Sequence, residues 1–220
     1  MEQKVRCMIH TCNARLWYVE KYLIPSLQKQ GVDKIIVYND TNHEGLLHAL
    51  MNSYEYTNDE DFWHLQDDVI ISSRFMELAK QYNEGISCGF CNQFSRGYSG
   101  LVSLETMWYS MPCIRIPGNI FKEFIQWLRK PETQRRLKAY FDENKHDDVF
   151  FEIFLKENYP RILVHNIAPN MVNHIDHLLG GSIVNKDRHK DPSFLMATYW
   201  DEPKLLIDIE KKLKKGGYVK

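Results

Sequence analysis

No stretch of the 220 residues approaches the roughly 20 consecutive apolar residues of a membrane-spanning helix, so no spanning segment is expected. Residues 1–6 are mostly charged or polar and the apolar stretch after them is short, so no secretory leader is expected either. Charge of one sign is missing too. The formal charge is −1, which excludes a chain that attracts polyanions as a whole. The basic runs (Arg129-Lys130, Arg135-Arg136 with Lys138, residues 186–190 and 211–215) are short enough to be solvated helix faces and loops. Cysteine is scarce and odd in number, at five, which fits reduced thiols in a cytosol; the expected location is cytoplasmic. Cys88-Gly-Phe-Cys91 has C-x-x-C spacing, but "GISCGFCNQF" reads as extended chain. It lacks the helix start that stabilises a redox thiolate, and no second pair completes a zinc site. Gly-rich phosphate loops are also absent, so a bound diphosphate would need another counter-charge. No repeat, low-complexity tract or linker divides the chain, and a single domain over residues 1–220 is the reading.

What is present is an alternation of strand and helix signals. "KVRCMIHT" and "KIIVYND" are short apolar runs of the kind buried on both faces of a parallel sheet. Between them Leu16, Val19, Leu23 and Leu27 share a helical face, with Asn13 as N-cap and Gly31 as stop. Pro25 inside that pattern predicts a kink or broken turn near Leu23 and Ile24. "EGLLHALMNSY" predicts a helix, "DFWHLQDD" a strand, and "SRFMELAKQYN" a helix capped by Ser72 or Ser73. "GISCGFCNQF" and "GLVSLETMWYS" predict strands, and "IPGNIFKEFIQWLRK" a loop opening a helix with Phe121, Phe124, Ile125 and Leu128 on one face. Further helices are expected in "PETQRRLKAYFDENK" and "DDVFFEIFLKENY", a late strand in "RILVHNIAPNMVNHI", and a closing helix in "EPKLLIDIEKKLKK". This is an α/β pattern.

The stretch "FWHLQDDVIISSRF", residues 62–75, places Asp67 and Asp68 side by side within an apolar strand signal. Adjacent carboxylates repel, and burying one is costly unless a cation meets it. Asp40 ends the preceding strand, and ligands of α/β sheets bind outside the carboxyl ends of the strands. Carboxylates at that rim suit a hard divalent cation, which keeps open positions for phosphates. A solvated turn that ends the strand is the competing account.

"MIHTCNARLWYVEKYLIPSLQKQGVDKIIVYND" followed by "FWHLQDDVIISSRF" resembles the nucleotide-binding half of GT-A glycosyltransferases, in a compact, family-2-like form. The resemblance implies a Rossmann-type mixed sheet flanked by helices. Residues 1–75 would be the nucleotide-binding half, 76–200 the acceptor half and 201–220 a C-terminal helix and tail. It further implies that Thr11, Arg15 and Asp40 contact the nucleotide, and that Gln66-Asp67-Asp68 stands for the D-x-D-type motif. Gln66 occupies the first acid position, which leaves Asp67's role open. Asp68 would touch the metal, Mn²⁺ or Mg²⁺. "KHDDVFFEIFLKENY" resembles the acidic helix start that supplies the catalytic base of inverting members, with Asp148 ahead of Asp147. "ILVHNIAPNMVNHIDHLLGGS" resembles the segment in which a His completes the metal site, here His174 in the pattern Pro169, Val172, His174.

On that resemblance the expected reaction is transfer of a sugar from a nucleoside diphosphate donor, UDP-sugar first, to a hydroxyl. The acceptor could be a glycan, a lipid-linked sugar, a protein or a hydroxymethylated base in DNA. The metal would neutralise the leaving phosphate and a carboxylate would take the acceptor's proton. Imidazole ligation by His174 would lean the site toward Mn²⁺. Lys186, Arg188 and His189 sit in a Gly-flanked stretch that could close over the diphosphate, or be an ordinary loop. Two other classes remain from the same residues: a metal-dependent nuclease or phosphodiesterase, and a non-catalytic sugar-nucleotide binder.

Overall fold

A computed structural model describes residues 4–42, 44–90, 99–104, 111–143, 147–168, 170–175, 179, 211 and 215. In chain order the elements are β1 (Arg6–Cys12), α1 (Leu16–Tyr18), α2 (Ile24–Lys29), β2 (Lys34–Asp40), α3 (Leu46–Ser53), β3 (Phe62–Gln66), β4 (Val69–Ile71) and α4 (Phe75–Gln81). They continue as β5 (Ser87–Cys88), β6 (Gly100–Ser103), β7 (Cys113–Ile116), α5 (Gly118–Arg129), α6 (Pro131–Arg136), α7 (Lys138–Glu143), α8 (Asp147–Asn158), β8 (Leu163–Asn166) and β9 (Val172–His174). Seven strands form one mixed sheet in the order β2-β1-β3-β7-β5-β8-β6, and β4 and β9 form a separate antiparallel ribbon. The α/β class and the mixed sheet flanked by helices are as expected from the sequence.

The strands alternate sides with period two. Cys7, Ile9, Trp63, Leu65 and Cys113 face one core together with Tyr18, Leu23, Leu27, Phe75 and the β4–β9 ribbon. Met8, Phe62, Ile114 and Ile116 face the other, against α3, α5 and α8. There Phe124 meets Phe151 and Phe154 with ring centroids 5.0 and 5.3 Å apart. The apolar face expected of α5 is realised: Phe121, Phe124, Ile125 and Leu128 are fully buried, and Trp127 nearly so.

The irregular turn expected next to Pro25 is present. A π-helical turn, Val19–Leu23, joins α1 to α2, and Ile24 N donates to Val19 O across the wider ring. Pro25 then falls in the first turn of α2, where its missing N–H costs no hydrogen bond within the helix. The helix start differs: Arg15, not Asn13, is the N-cap residue, and Asn13 Oδ1 instead accepts from Asn39 Nδ2 at 2.8 Å. Gly31 ends the run in the left-handed region at φ +82°, as expected of a stop.

β7 was not separated from its neighbours in the sequence pattern. It joins the two halves of the sheet, antiparallel to both β3 and β5. Gly89 lies beside it, and a Cβ there would stand 2.6 Å from Cys113 Sγ and 2.9 Å from Met171 Sδ, so that contact requires glycine.

Candidate functional site

The parallel strands β1, β2 and β3 end at a common rim: Cys12 pairs with Asp40, and His10 with Gln66. The chain leaves β1 through a tight turn in which Arg15 N donates to Cys12 O at 2.9 Å. This sets Arg15 at the rim, 5% exposed. Asp67 and Asp68 form the two-residue link between β3 and β4. The β4–β9 register pairs Val69 with His174, and Ile175 N donates to Asp68 O at 2.7 Å, which brings His174 beside the acid doublet. Tyr18 braces the link from behind by donating to Val69 O at 2.9 Å. The sequence reading did not single out Tyr18, although its place three residues after Arg15 on the buried helical face was the available signal.

The cation that offsets the two aspartates is therefore in the chain. Arg15 Nη1 donates to Asp67 Oδ1 at 3.0 Å and also to Asp68 Oδ2. Thr11 Oγ1 donates to Asp67 Oδ2 at 2.9 Å. His174 Nε2 stands 3.0 Å from Asp68 Oδ1, near in distance but not in hydrogen-bond alignment. Burial raises both acids, but the outcomes diverge. Burial and the neighbouring Asp68 push Asp67 up to about 6, against the pull of Arg15. For Asp68 burial is outweighed by His174 and Arg15, which hold its carboxyl well below the usual range. Burial works against the charge of Arg15, and the two carboxylates more than reverse it.

Asp147, the first residue of α8, is 4% exposed and lies close enough to Gln66 for that side chain to act on its carboxyl, so the start of α8 and the end of β3 meet. Its Oδ2 is buried with no hydrogen-bond partner among the described residues. Burial, reinforced by Asp148, raises its carboxyl well above the usual value, so it favours the protonated form. Asp148 is half-buried, and its Oδ1 accepts from Val149 N at 2.8 Å. Asp40 reaches the same rim with both oxygens engaged: Glu44 N donates to Oδ1 at 3.0 Å and Gly45 N to Oδ2 at 2.9 Å, bracing the loop into α3. Of the residues singled out in the sequence, Arg188, Lys186, His189, Cys91 and Pro169 lie outside the described residues.

Thr11, Arg15, Gln66, Asp67, Asp68, Asp147 and His174 are thus drawn together from four separate parts of the chain. One corner of this cluster, Asp68 Oδ1 with His174 Nε2, is a candidate for a metal. Ligand atoms on neighbouring corners of an octahedron with bonds of about 2.1 Å stand about 3.0 Å apart. Asp68 Oδ1 and His174 Nε2 have that separation. Among the described residues no group of three His, Cys, Asp or Glu side chains is placed to hold a metal, so protein would fill two corners there.

Behind the rim, His10 and His64 form a buried pair with ring nitrogens 2.6 Å apart, flanked by Ser53 Oγ at 2.7 Å and Met111 O at 2.8 Å. Burial lowers both imidazoles, His64 to about 4. A separate cavity of about 240 Å³ opens at the opposite rim, lined in part by Lys4, Arg6, Asp61, Trp63 and Arg115, away from the acid cluster. No helix among the described residues is long and apolar enough to cross a membrane.

No protein-family model and no curated protein sequence matches the chain. Among solved structures, the inositol-1-phosphate CTP transferase from T. maritima is 11% identical, with 76% of this chain and 86% of that one covered, at a TM-score of 0.43. A UTP-bound UGPase from Acinetobacter baumannii is 10% identical, with 93% and 99% covered, at 0.44. A glycosyltransferase involved in glycosylation of the major capsid of PBCV-1 is 11% identical, with 72% and 91% covered, at 0.33. At these scores the likeness carries no argument about chemistry, and the functional reading rests on the residues of the rim.

Proposed function

We propose that the chain is a metal-dependent glycosyltransferase that moves a sugar from a nucleoside diphosphate to a hydroxyl acceptor with inversion. The observation that carries this reading is the meeting of Asp68 with His174 at the carboxyl rim, with Asp147 at the start of α8 close to Gln66 at the same strand end. In this reading Asp68 and His174 hold Mn²⁺ or Mg²⁺ by the two corners measured above. The bound ion supplies charge neutralisation for the leaving diphosphate. Thr11, Arg15 and Gln66 orient the donor, Asp67 holds Arg15 and Thr11 in place, and Asp40 shapes the loop against which the nucleoside lies. Asp147, buried and favouring its protonated form, is suited to fix Gln66 and not to accept a proton. That leaves Asp148, half-buried next to it, as the general base.

The test is a thermal-shift panel of UDP, GDP and their sugar derivatives, with and without Mn²⁺, followed by product analysis. A ligand that binds only folded protein raises the melting temperature by mass action. The expected result is a metal-dependent shift and release of nucleoside diphosphate when an acceptor is supplied. Release of pyrophosphate would instead indicate nucleotidyl transfer. Cleavage of nucleic acid without a donor would indicate the nuclease. Asp148→Asn should lower turnover by about 10²–10⁴ with donor binding intact. A wild type that binds donor but turns over on no acceptor would favour the binding module.

A further inference from the structure

Two buried carboxylates share one guanidinium in the acid cluster. Arg15 Nη1 reaches Asp67 Oδ1 and Asp68 Oδ2, while His174 faces the other oxygen of Asp68. Resting on the metal-diphosphate reading of this site, we propose that Arg15 is an exchangeable counter-ion that makes metal and diphosphate bind together and neither bind well alone. A lone divalent cation at the Asp68 Oδ1–His174 corner would sit beside a guanidinium that already holds the same carboxylate, and like charges oppose it. A lone diphosphate would face Asp67 and Asp68, with Arg15 turned toward them. A metal-diphosphate resolves both conflicts at once. The cation replaces Arg15 on Asp68, and the released guanidinium turns to the phosphate oxygens, which its planar fork matches. The backbone of Arg15 need not move, because its N–H stays anchored on Cys12 O and its carbonyl accepts from Tyr18 N. Asp67, with Thr11 on its other oxygen, remains as the seat to which Arg15 returns on product release.

Binding of MnCl₂ alone, inorganic pyrophosphate alone and the two together is measured by calorimetry on the full chain and on Arg15→Met and Arg15→Lys. Free Mn²⁺ is followed in parallel by its electron paramagnetic resonance signal. The expected result is crossed: Arg15→Met binds Mn²⁺ alone about tenfold or more tightly than wild type and binds Mn²⁺-pyrophosphate about tenfold less tightly, the size of a typical coupling between two ligands. Arg15→Lys, whose point charge cannot serve both carboxylates and phosphate as a fork, shifts the same way by less. If Arg15→Met gives no folded protein, the Lys variant decides alone. Unchanged Mn²⁺ affinity in the variants, with Mn²⁺-pyrophosphate still bound, overturns the exchange and leaves the site reading standing. Absence of Mn²⁺ binding in every form, with or without pyrophosphate, overturns the site reading and the exchange with it.

Discussion

The two rims of the sheet each carry a buried arginine facing aspartate, and they are built differently. At the rim away from the acid cluster Arg115 meets one acid, Asp61, at 2.6 Å. Each partner is also tied to backbone: Arg115 Nη1 donates to Gly85 O, and Asp61 Oδ1 accepts from Gly118 N at 2.9 Å, at the start of α5. Charge is balanced, and the main-chain partners fix the geometry. At the acid rim one arginine faces two acids, and among the described residues their carboxylates meet side chains: Arg15, Thr11 and, beside Asp68, His174. Among the described residues Arg15 and the imidazole of His174 face the two carboxylates. A pair tied to backbone is what a fold uses as a brace, whereas carboxylates held by side chains are free to exchange a partner. The same residue types therefore point to structure at one end of β3 and to chemistry at the other.

The strongest test of that contrast removes the acid nearest the proposed metal. Asp68→Asn should lower turnover by about 10³ and abolish metal-dependent donor binding, because several kcal/mol of transition-state charge stabilisation go with the metal. Steady-state kinetics and the ligand-induced melting shift check this together. A loss of stability with turnover per folded molecule retained would make this rim a brace as well.

Next in size is a pH effect at Asp67. Its folded-state carboxyl is raised to about 6, so the folded chain holds a proton there that the unfolded chain has released. The sign follows: as pH rises from the ordinary aspartate value through about 6, Asp67 costs the wild type stability, on the order of 1–3 kcal/mol in total. Asp68 runs the other way, contributing stability above the ordinary aspartate value that is lost as pH falls toward its depressed folded one. Asp67→Asn should therefore gain on the wild type between pH 4 and 7 and be level with it below that window. Denaturant melts at four or five pH values read the difference. A flat difference would mean that Asp67 is ionised throughout and that Arg15 compensates both acids.

Smaller again is the opposite rim. Asp61→Ala should cost about 1–2 kcal/mol of stability through the lost hydrogen bond to Gly118 N and the loosened Arg115. The acid's side chain is 51% exposed, so water replaces part of what is lost. Turnover per folded molecule should stay within about twofold, since substitutions outside a site act through stability. An Asp61→Ala protein as inactive as Asp68→Asn would erase the distinction between the rims.

Much of this geometry was legible in the sequence because strand polarity is. Once "KIIVYND" and "FWHLQDD" are parallel strands in an α/β sheet, Asp40 and Asp67-Asp68 must come out at one rim, and they do. His174 was legible through the family resemblance, but its physical placement depends on the β4–β9 ribbon, a pairing across about a hundred residues that local periodicity does not report. The role of Arg15 was half legible. Its place at the end of the first strand was clear, while its engagement with both acids depends on a turn that periodicity leaves undetermined. β7 was hidden because "CIRI" is four residues long and runs into Pro117-Gly118, where a helix signal begins.

The finest test lies between the rims, on the imidazoles of β1 and β3. Among the described residues His10 and His64 hydrogen-bond to each other, to Ser53 and to a backbone carbonyl, and to no carboxylate. Burial then decides, and the neutral form is favoured, His64 down to about 4. A folded His with a lowered value opposes protonation, so as pH falls from about 6.5 toward 4 this pair should draw stability down and not take up charge. Nitrogen-15 NMR of the two rings should show neutral tautomers at pH 8 and still at pH 5. An imidazolium signal at pH 6 would put a positive charge on His10, paired with Gln66 across the sheet, or on His64, two residues before Gln66 in its own strand. The acid rim would then have a further counter-ion within the sheet, and its contrast with Arg115 and Asp61 would narrow.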